Sequence, residues 1–209
     1  MEKEDAKFDY EIRRFGRSRR GHRMNRSERN ITQSVLGKLP PHSLVLDIPC
    51  GLGRFTDLLI DQGHRYVGMD INFDYARYAS ERLKTPLPAL QASIFELPLS
   101  SNSVDFVMSI RMFHHFQSDQ IIAALKEISR VAPQALVTFY NRRSWRIQKR
   151  RFSLRIRRRE WRGGESWHEK TYSLREMKDF ANQAGMRVKE KISSLGLFTS
   201  NQFLWLERS

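Results

Sequence analysis

The densest chemistry in this sequence lies between residues 47 and 70. Asp47-Ile-Pro-Cys-Gly51-Leu-Gly53 sets a carboxylate at the end of an apolar run and follows it with a turn holding two glycines. Glycine allows positive φ and lets a ligand approach the backbone closely. A helix is expected directly after the turn, and its free N–H groups would face the same space. Asp70, 17 residues beyond Gly53, ends the next apolar run, the usual place for a carboxylate that grips the two hydroxyls of a ribose. This spacing suits a nucleotide-type ligand. Cys50 sits inside the turn with no base to activate it, so it is not expected to act as a nucleophile. As the single cysteine it excludes an internal disulfide and a multi-cysteine metal site. His114, His115 and His168 lack the carboxylate partners a metal would need, and no metal is expected.

The elements that must position these groups alternate. Apolar runs at 44–48, 66–69, 89–92, 103–110 and 135–140 read as strands. Helical periods run through Phe55, Leu58, Leu59 and Ile60 to a stop at Gly63, from 74 to about 83 before Pro86 and Pro88, and over 119–131 with Ile121, Ile122, Leu125 and Ile128 on one face. Ser173-Leu-Arg-Glu176 is a capping box opening a helix that ends near Gly185. The runs at 187–192 and 202–206 are close enough in sequence to pair antiparallel. Strand–helix alternation implies an α/β fold: a doubly wound, mostly parallel sheet with a C-terminal antiparallel hairpin. Ligands of such sheets bind beyond the carboxyl ends of the strands, near the switch in strand order.

The chain has 209 residues and a formal net charge of +14, with 37 Lys and Arg against 23 Asp and Glu. A hydrophobic fraction of 40% and 13 Phe exclude wholesale disorder. No apolar run is long enough for a membrane-spanning helix, and the acidic N-terminus has no apolar stretch of a secretory signal, so a cytoplasmic, reduced protein is expected. The charge is localised. Residues 11–30 carry eight Arg against Glu11 and Glu28, and residues 142–162 carry eleven Lys or Arg against Glu160 alone. The second segment interleaves Trp145, Ile147, Phe152, Leu154, Ile156 and Trp161 with its cations, which a purely repelling tail would not need. The organisation expected is a basic N-terminal helical segment over 1–42 and one domain over 43–209, with a basic substrate-side insertion at 141–172.

Val45-Leu-Asp-Ile-Pro-Cys-Gly-Leu-Gly-Arg54, Val67-Gly-Met-Asp-Ile71, Leu97-Pro98, Val104-Asp-Phe-Val-Met-Ser109 and Leu125-Lys-Glu-Ile-Ser-Arg-Val131 resemble, in order and spacing, the S-adenosylmethionine-dependent methyltransferases of the Rossmann-like class, nearest the small-molecule "type 11" subgroup. The resemblance covers roughly residues 43–140. It implies S-adenosylmethionine as cofactor, with Gly51 and Gly53 bordering its methionine part and Asp47 near its amino group. It implies that Asp70 holds the ribose, that Ile71 packs on the adenine with Ser93 and Ile94 along the adenine edge, and that Ser109 and Arg111 line the reactive end. Two positions depart from the family pattern. Pro49 stands where glycine is usual and removes one N–H donor, so contacts must come from neighbouring amides. Ser93 stands where an acid is frequent, and accepts without charge assistance. The competing dinucleotide-binding dehydrogenase fingerprint wants a third glycine where this chain has Thr56, and has no use for Asp47.

Methyl transfer from a sulfonium is an in-line displacement accelerated largely by positioning, and a base is needed only for a poor nucleophile. His114 and Tyr140 are the candidate catalytic groups, as base or acceptor-orienting residues. Arg146, Arg150, Arg151, His168 and Tyr172 are the candidate acceptor-binding residues. A helix over 13–29 would cover the cofactor, with Arg17, Arg19 or Arg20 facing the methionine carboxylate. The basic segments suit an anionic acceptor, lipid-linked or at an anionic membrane surface. RNA is an alternative partner, and a non-catalytic binding protein on the same scaffold is a third reading.

Overall fold

The expected alternation of strands and helices is present in the computed structural model, which describes residues 19–83, 90–145, 147–149, 170–193 and 201–209. The chain runs α1 (Arg19–Leu36), β1 (Leu44–Asp47), α2 (Thr56–Asp61), β2 (Arg65–Asp70), α3 (Phe73–Leu83), β3 (Leu90–Gln91), β4 (Phe106–Ser109), a 3-10 turn (Phe113–His115), α4 (Ser118–Val131), β5 (Gln134–Tyr140), α5 (Leu174–Gln183), β6 (Met186–Ser193) and β7 (Asn201–Arg208). Pro86 and Pro88, read as helix breakers, lie outside the described residues, as does Ala89.

The strands form one seven-stranded sheet in the order β3-β2-β1-β4-β5-β7-β6. The β1–β2, β1–β4, β2–β3 and β4–β5 pairs are parallel, while β7 pairs antiparallel with both β5 and β6. Strand order reverses at β1, which lies between β2 and β4. That reversal opens the crevice in which ligands of such sheets bind.

Alternation along each strand feeds two cores. Leu46, Val107, Val137 and Leu204 join Ile121, Leu125 and Met177 of α4 and α5 on one face. Val45, Phe106, Met108, Leu136 and Phe203 join Val35, Leu36, Leu58 and Ala76 of α1, α2 and α3 on the other. Both faces are therefore covered, which is why the strands read as continuous apolar runs rather than alternating ones.

Two boundaries differ most from the sequence reading. The run at 103–110 supplies a strand only over Phe106–Ser109, because its front half turns to other acceptors. Val104 N donates to Val131 O at the end of α4, and Asp105 N donates to Leu44 O. The N-terminal helix continues past Arg29 to Leu36, since Ile31, Val35 and Leu36 bury against the sheet. At the other end the capping box forms as read: Glu176 N donates to Ser173 Oγ at 3.2 Å, and Ser173 N donates to Glu176 Oε2 at 2.8 Å.

Candidate active site

The groups singled out at the carboxyl ends of the parallel strands converge there: Asp47 ends β1, Asp70 ends β2, Ser109 ends β4 and Tyr140 ends β5. The turn after β1 is shaped by its glycines, with Gly51 at φ 53° and Gly53 at φ 72°, values that cost other residues strain. Asp70, 5% exposed, ties this turn to β2. Gly51 N donates to its Oδ2 at 3.0 Å and Asn72 N to its Oδ1 at 2.9 Å. Each carboxylate oxygen keeps a lone pair for a further donor. Burial pushes the Asp70 carboxyl above its ordinary range, against the pull of those two amides.

Three of the amides that follow Pro49 are committed within the protein. Cys50 N donates to Met69 O at 2.8 Å, Gly51 N to Asp70, and Gly53 N to Cys50 O at 3.0 Å. Cys50 itself is buried; burial first, then the charges of Asp47 and Asp70, push its thiol well above the ordinary range. It stays protonated and unreactive.

Directly after β2, Ile71 is 66% exposed, an apolar side chain open to solvent beside Asp70. Ser93 Oγ accepts from Phe95 N at 3.3 Å, closing a local turn. Ile94 departs from the expectation. Its side chain is buried in the core that α4 and α5 share with the sheet, where apolar packing draws it inward.

At the end of β4, Ser109 is fully buried and its hydroxyl has no hydrogen-bond partner among the described residues. An orphaned polar atom at the switch point is what a bound polar ligand would satisfy. Arg111 takes the left-handed conformation at φ 64°, held by donation of its N–H to Thr138 Oγ1 at 2.7 Å. Its guanidinium departs from the expected lining role and turns to Glu28 of α1, with Nε and Nη2 donating to the Glu28 carboxylate at 2.6 to 3.1 Å.

Glu28 is the residue that sequence reading missed; there it counted only as a charge within a basic segment. It is 1% exposed and also accepts from Arg54 Nη1 at 2.7 Å and Asn201 Nδ2 at 2.9 Å. Burial raises its pKa, but the Arg111 and Arg54 charges and hydrogen bonds outweigh that and hold the carboxyl below its ordinary value. Next to it, Arg29 donates to both oxygens of Asp57 and to Arg54 O. Helix α1 is thereby clamped over the glycine turn. Arg19 on the same helix is exposed, and Arg17 lies outside the described residues.

In the turn after β4, His114 is 3% exposed and stacks on Tyr140 at 4.3 Å between centroids, with His115 against it at 4.0 Å. Tyr172, read as part of a substrate-side lid, is placed in the core instead. Its ring packs edge-on against Phe180 and its hydroxyl donates to Phe116 O at 2.6 Å. Its backbone roots the insertion: Tyr172 N donates to Tyr140 O, Arg142 N to Tyr172 O, and Lys170 N to His114 O. Arg146, Arg150, Arg151 and His168 lie outside the described residues. Trp145, beside them, is 63% exposed, whereas Ile147 is buried.

Strand order, the glycine turn and Asp70 define a class, and comparison with known proteins agrees. Residues 46–135 match the family model described as "Methyltransferase domain", of the type 11 group. Over these residues the chain is similar to S-adenosylmethionine-dependent methyltransferases, and its fold is that of solved methyltransferases. Among individual proteins, it is 31% identical over 100 residues to a protein of Mycolicibacterium smegmatis named "Probable S-adenosylmethionine-dependent methyltransferase", covering 47% of this chain and 38% of that one. It is 32% identical over 97 residues to the mouse tRNA (carboxymethyluridine(34)-5-O)-methyltransferase ALKBH8, covering 46% of this chain and 14% of that one. The chain thus spans well under half the length of these relatives. In fold it is similar to the magnesium protoporphyrin IX methyltransferase ChlM of Synechocystis PCC 6803, solved with bound SAH. The TM-score is 0.73 at 14% identity, over 92% of this chain and 88% of that one.

Proposed function

We propose that this chain is an S-adenosylmethionine-dependent methyltransferase whose acceptor is anionic and lipid-linked or membrane-associated. The observation that carries the acceptor class is the rooting of the insertion. Both its ends are hydrogen-bonded beside His114 and Tyr140, and between them the sequence places eleven cations against one acid over 142–162. Cations at the mouth of a cleft raise the local concentration of an anion, and interleaved Trp and aliphatic groups suit a headgroup layer.

The residues present fit the cofactor. Asp70 retains lone pairs for two ribose hydroxyls, Ile71 offers an apolar face to the adenine, and the buried Ser109 hydroxyl at the end of β4 has no partner among the described residues. Gly51 and Gly53 border the methionine part, Asp47 its amino group. Bound there, the cofactor supplies an electrophilic methyl group on a sulfonium sulfur. The chain's own work is to align the acceptor's lone pair with the sulfur–carbon bond and to exclude water. His114, braced by Tyr140, takes the acceptor proton where the nucleophile is a hydroxyl.

Co-sedimentation with phosphatidylglycerol vesicles tests the membrane part. Retention on these and not on phosphatidylcholine vesicles is expected; equal retention on both, or on neither, sinks it. RNA as acceptor is a second reading, favoured by the same cations and by the likeness to a tRNA methyltransferase. A filter-binding titration that retains no RNA at low salt removes it. Calorimetry with S-adenosylmethionine decides against a non-catalytic scaffold if binding is micromolar.

A further inference from the structure

Glu28 takes no part in the chemistry above, yet its buried carboxylate accepts from three other side chains. Four elements meet on its carboxylate: α1, which carries it; the glycine turn, through Arg54; the end of β4, through Arg111; and β7, through Asn201. Two of these partners are adjacent to residues that border the cofactor. Arg54 follows Gly53, and Arg111 stands two residues after Ser109 in a backbone conformation that non-glycine residues adopt only under constraint. Arg54 also lies over the Phe55 ring at 4.3 Å, at the start of α2. The partner side chains are nearly as dry as the acid, at 12% and 11% exposure against 2%. In such surroundings, removing one member leaves the others charged and unsatisfied, so the turn and the β4 end would both relax.

We infer that Glu28 is a positioning residue for the methionine end of the cofactor. It makes the basic N-terminal helix a wall of the binding site by fixing the glycine turn and the end of β4 in the same cluster. This rests on the methyltransferase reading, and it extends it to a residue that touches no cofactor atom. The adenosine end rests on Asp70 and the β2–β3 edge; its link to the turn is the Gly51 N–H donated to Asp70, on the far side of the turn from Arg54, so it depends on Glu28 far less.

Two ligands separate the two ends. S-adenosylhomocysteine has the amino-acid moiety, and 5′-methylthioadenosine lacks it. In calorimetry, Glu28→Gln is expected to weaken S-adenosylhomocysteine by about tenfold, the equivalent of one hydrogen bond to a charged group. The same variant should leave methylthioadenosine within about twofold, well under one such bond. Glu28→Asp, which keeps the charge, is expected to recover most of the lost affinity. Where Glu28→Gln does not fold, Asn201→Ala serves: it removes one neutral donor from the same carboxylate and should weaken only S-adenosylhomocysteine. Equal weakening of both ligands, or unchanged binding of both by a folded variant, overturns the proposal alone. Failure of the unmutated chain to bind either ligand overturns the methyltransferase reading and this proposal with it.

Discussion

Asp70 and Tyr172 are both buried polar residues, and their hydrogen bonds assign them opposite roles. Asp70 accepts two backbone amides and still has lone pairs facing the crevice. Asp70→Asn removes the charge and presents an amide donor to one of those N–H groups, and is expected to weaken S-adenosylmethionine binding by an order of magnitude or more in calorimetry. Because burial raises this carboxyl's pKa, it protonates earlier than an ordinary Asp as pH falls. Cofactor affinity should therefore decline on acidification through that raised value. The same shift favours the folded state at low pH, a contribution lost as pH rises through the raised value. Tyr172 spends its hydroxyl on Phe116 O inside the core. Tyr172→Phe leaves that carbonyl unpaired and should cost about 1–2 kcal/mol of stability, with turnover within twofold. A fall in turnover at unchanged melting temperature would reverse the assignment.

Among the elements, β2 shows how closely the crevice is built. Gly68 is buried in the strand that delivers Asp70, and a Cβ added there would lie 2.9 Å from Cζ of the Tyr66 ring. That ring is itself buried, in the core that includes Cys50, Phe55 and Leu59, and has little room to yield. Gly68→Ala is expected to destabilise by about 1–3 kcal/mol, as overpacking does, and to weaken cofactor binding through displacement of Asp70. Chemical denaturation and calorimetry on one preparation check both effects. The elements are also where sequence reading did best. Apolar runs, the Gly63 stop and the Ser173–Glu176 box are local signals, and local signals give the order of strands and helices. The 103–110 run failed in its first half because which carbonyls its amides meet depends on α4, a neighbour brought in by tertiary packing.

At the scale of the whole molecule, the Glu28 cluster ties the first helix to the last strand. With its folded pKa held below the ordinary 4.5, Glu28 contributes stability in full above that value. The contribution is lost as pH falls through the depressed one. Glu28→Ala should cost on the order of 3–5 kcal/mol near neutral pH, as breaking a buried pair does. The gap in melting temperature between the two proteins is expected to close below pH 4.5; a gap independent of pH would show that packing, not charge, carries the effect.

The fold class, the β1 turn, Asp70 and the location of the charge were legible in the sequence alone. Each depends on residue type and spacing along the chain: glycines that take positive φ, a carboxylate at a strand end, cations confined to two segments. Only the tertiary structure decided that Arg111 turns to Glu28, that Ile94 and Tyr172 belong to the core, and that both ends of the insertion are rooted at β5. These are partnerships across 83, 56 and, from Tyr172 back to Tyr140, 32 residues of chain (172 − 140). A buried charge or hydroxyl takes the partner that packing brings to it, and no local pattern records which one that is.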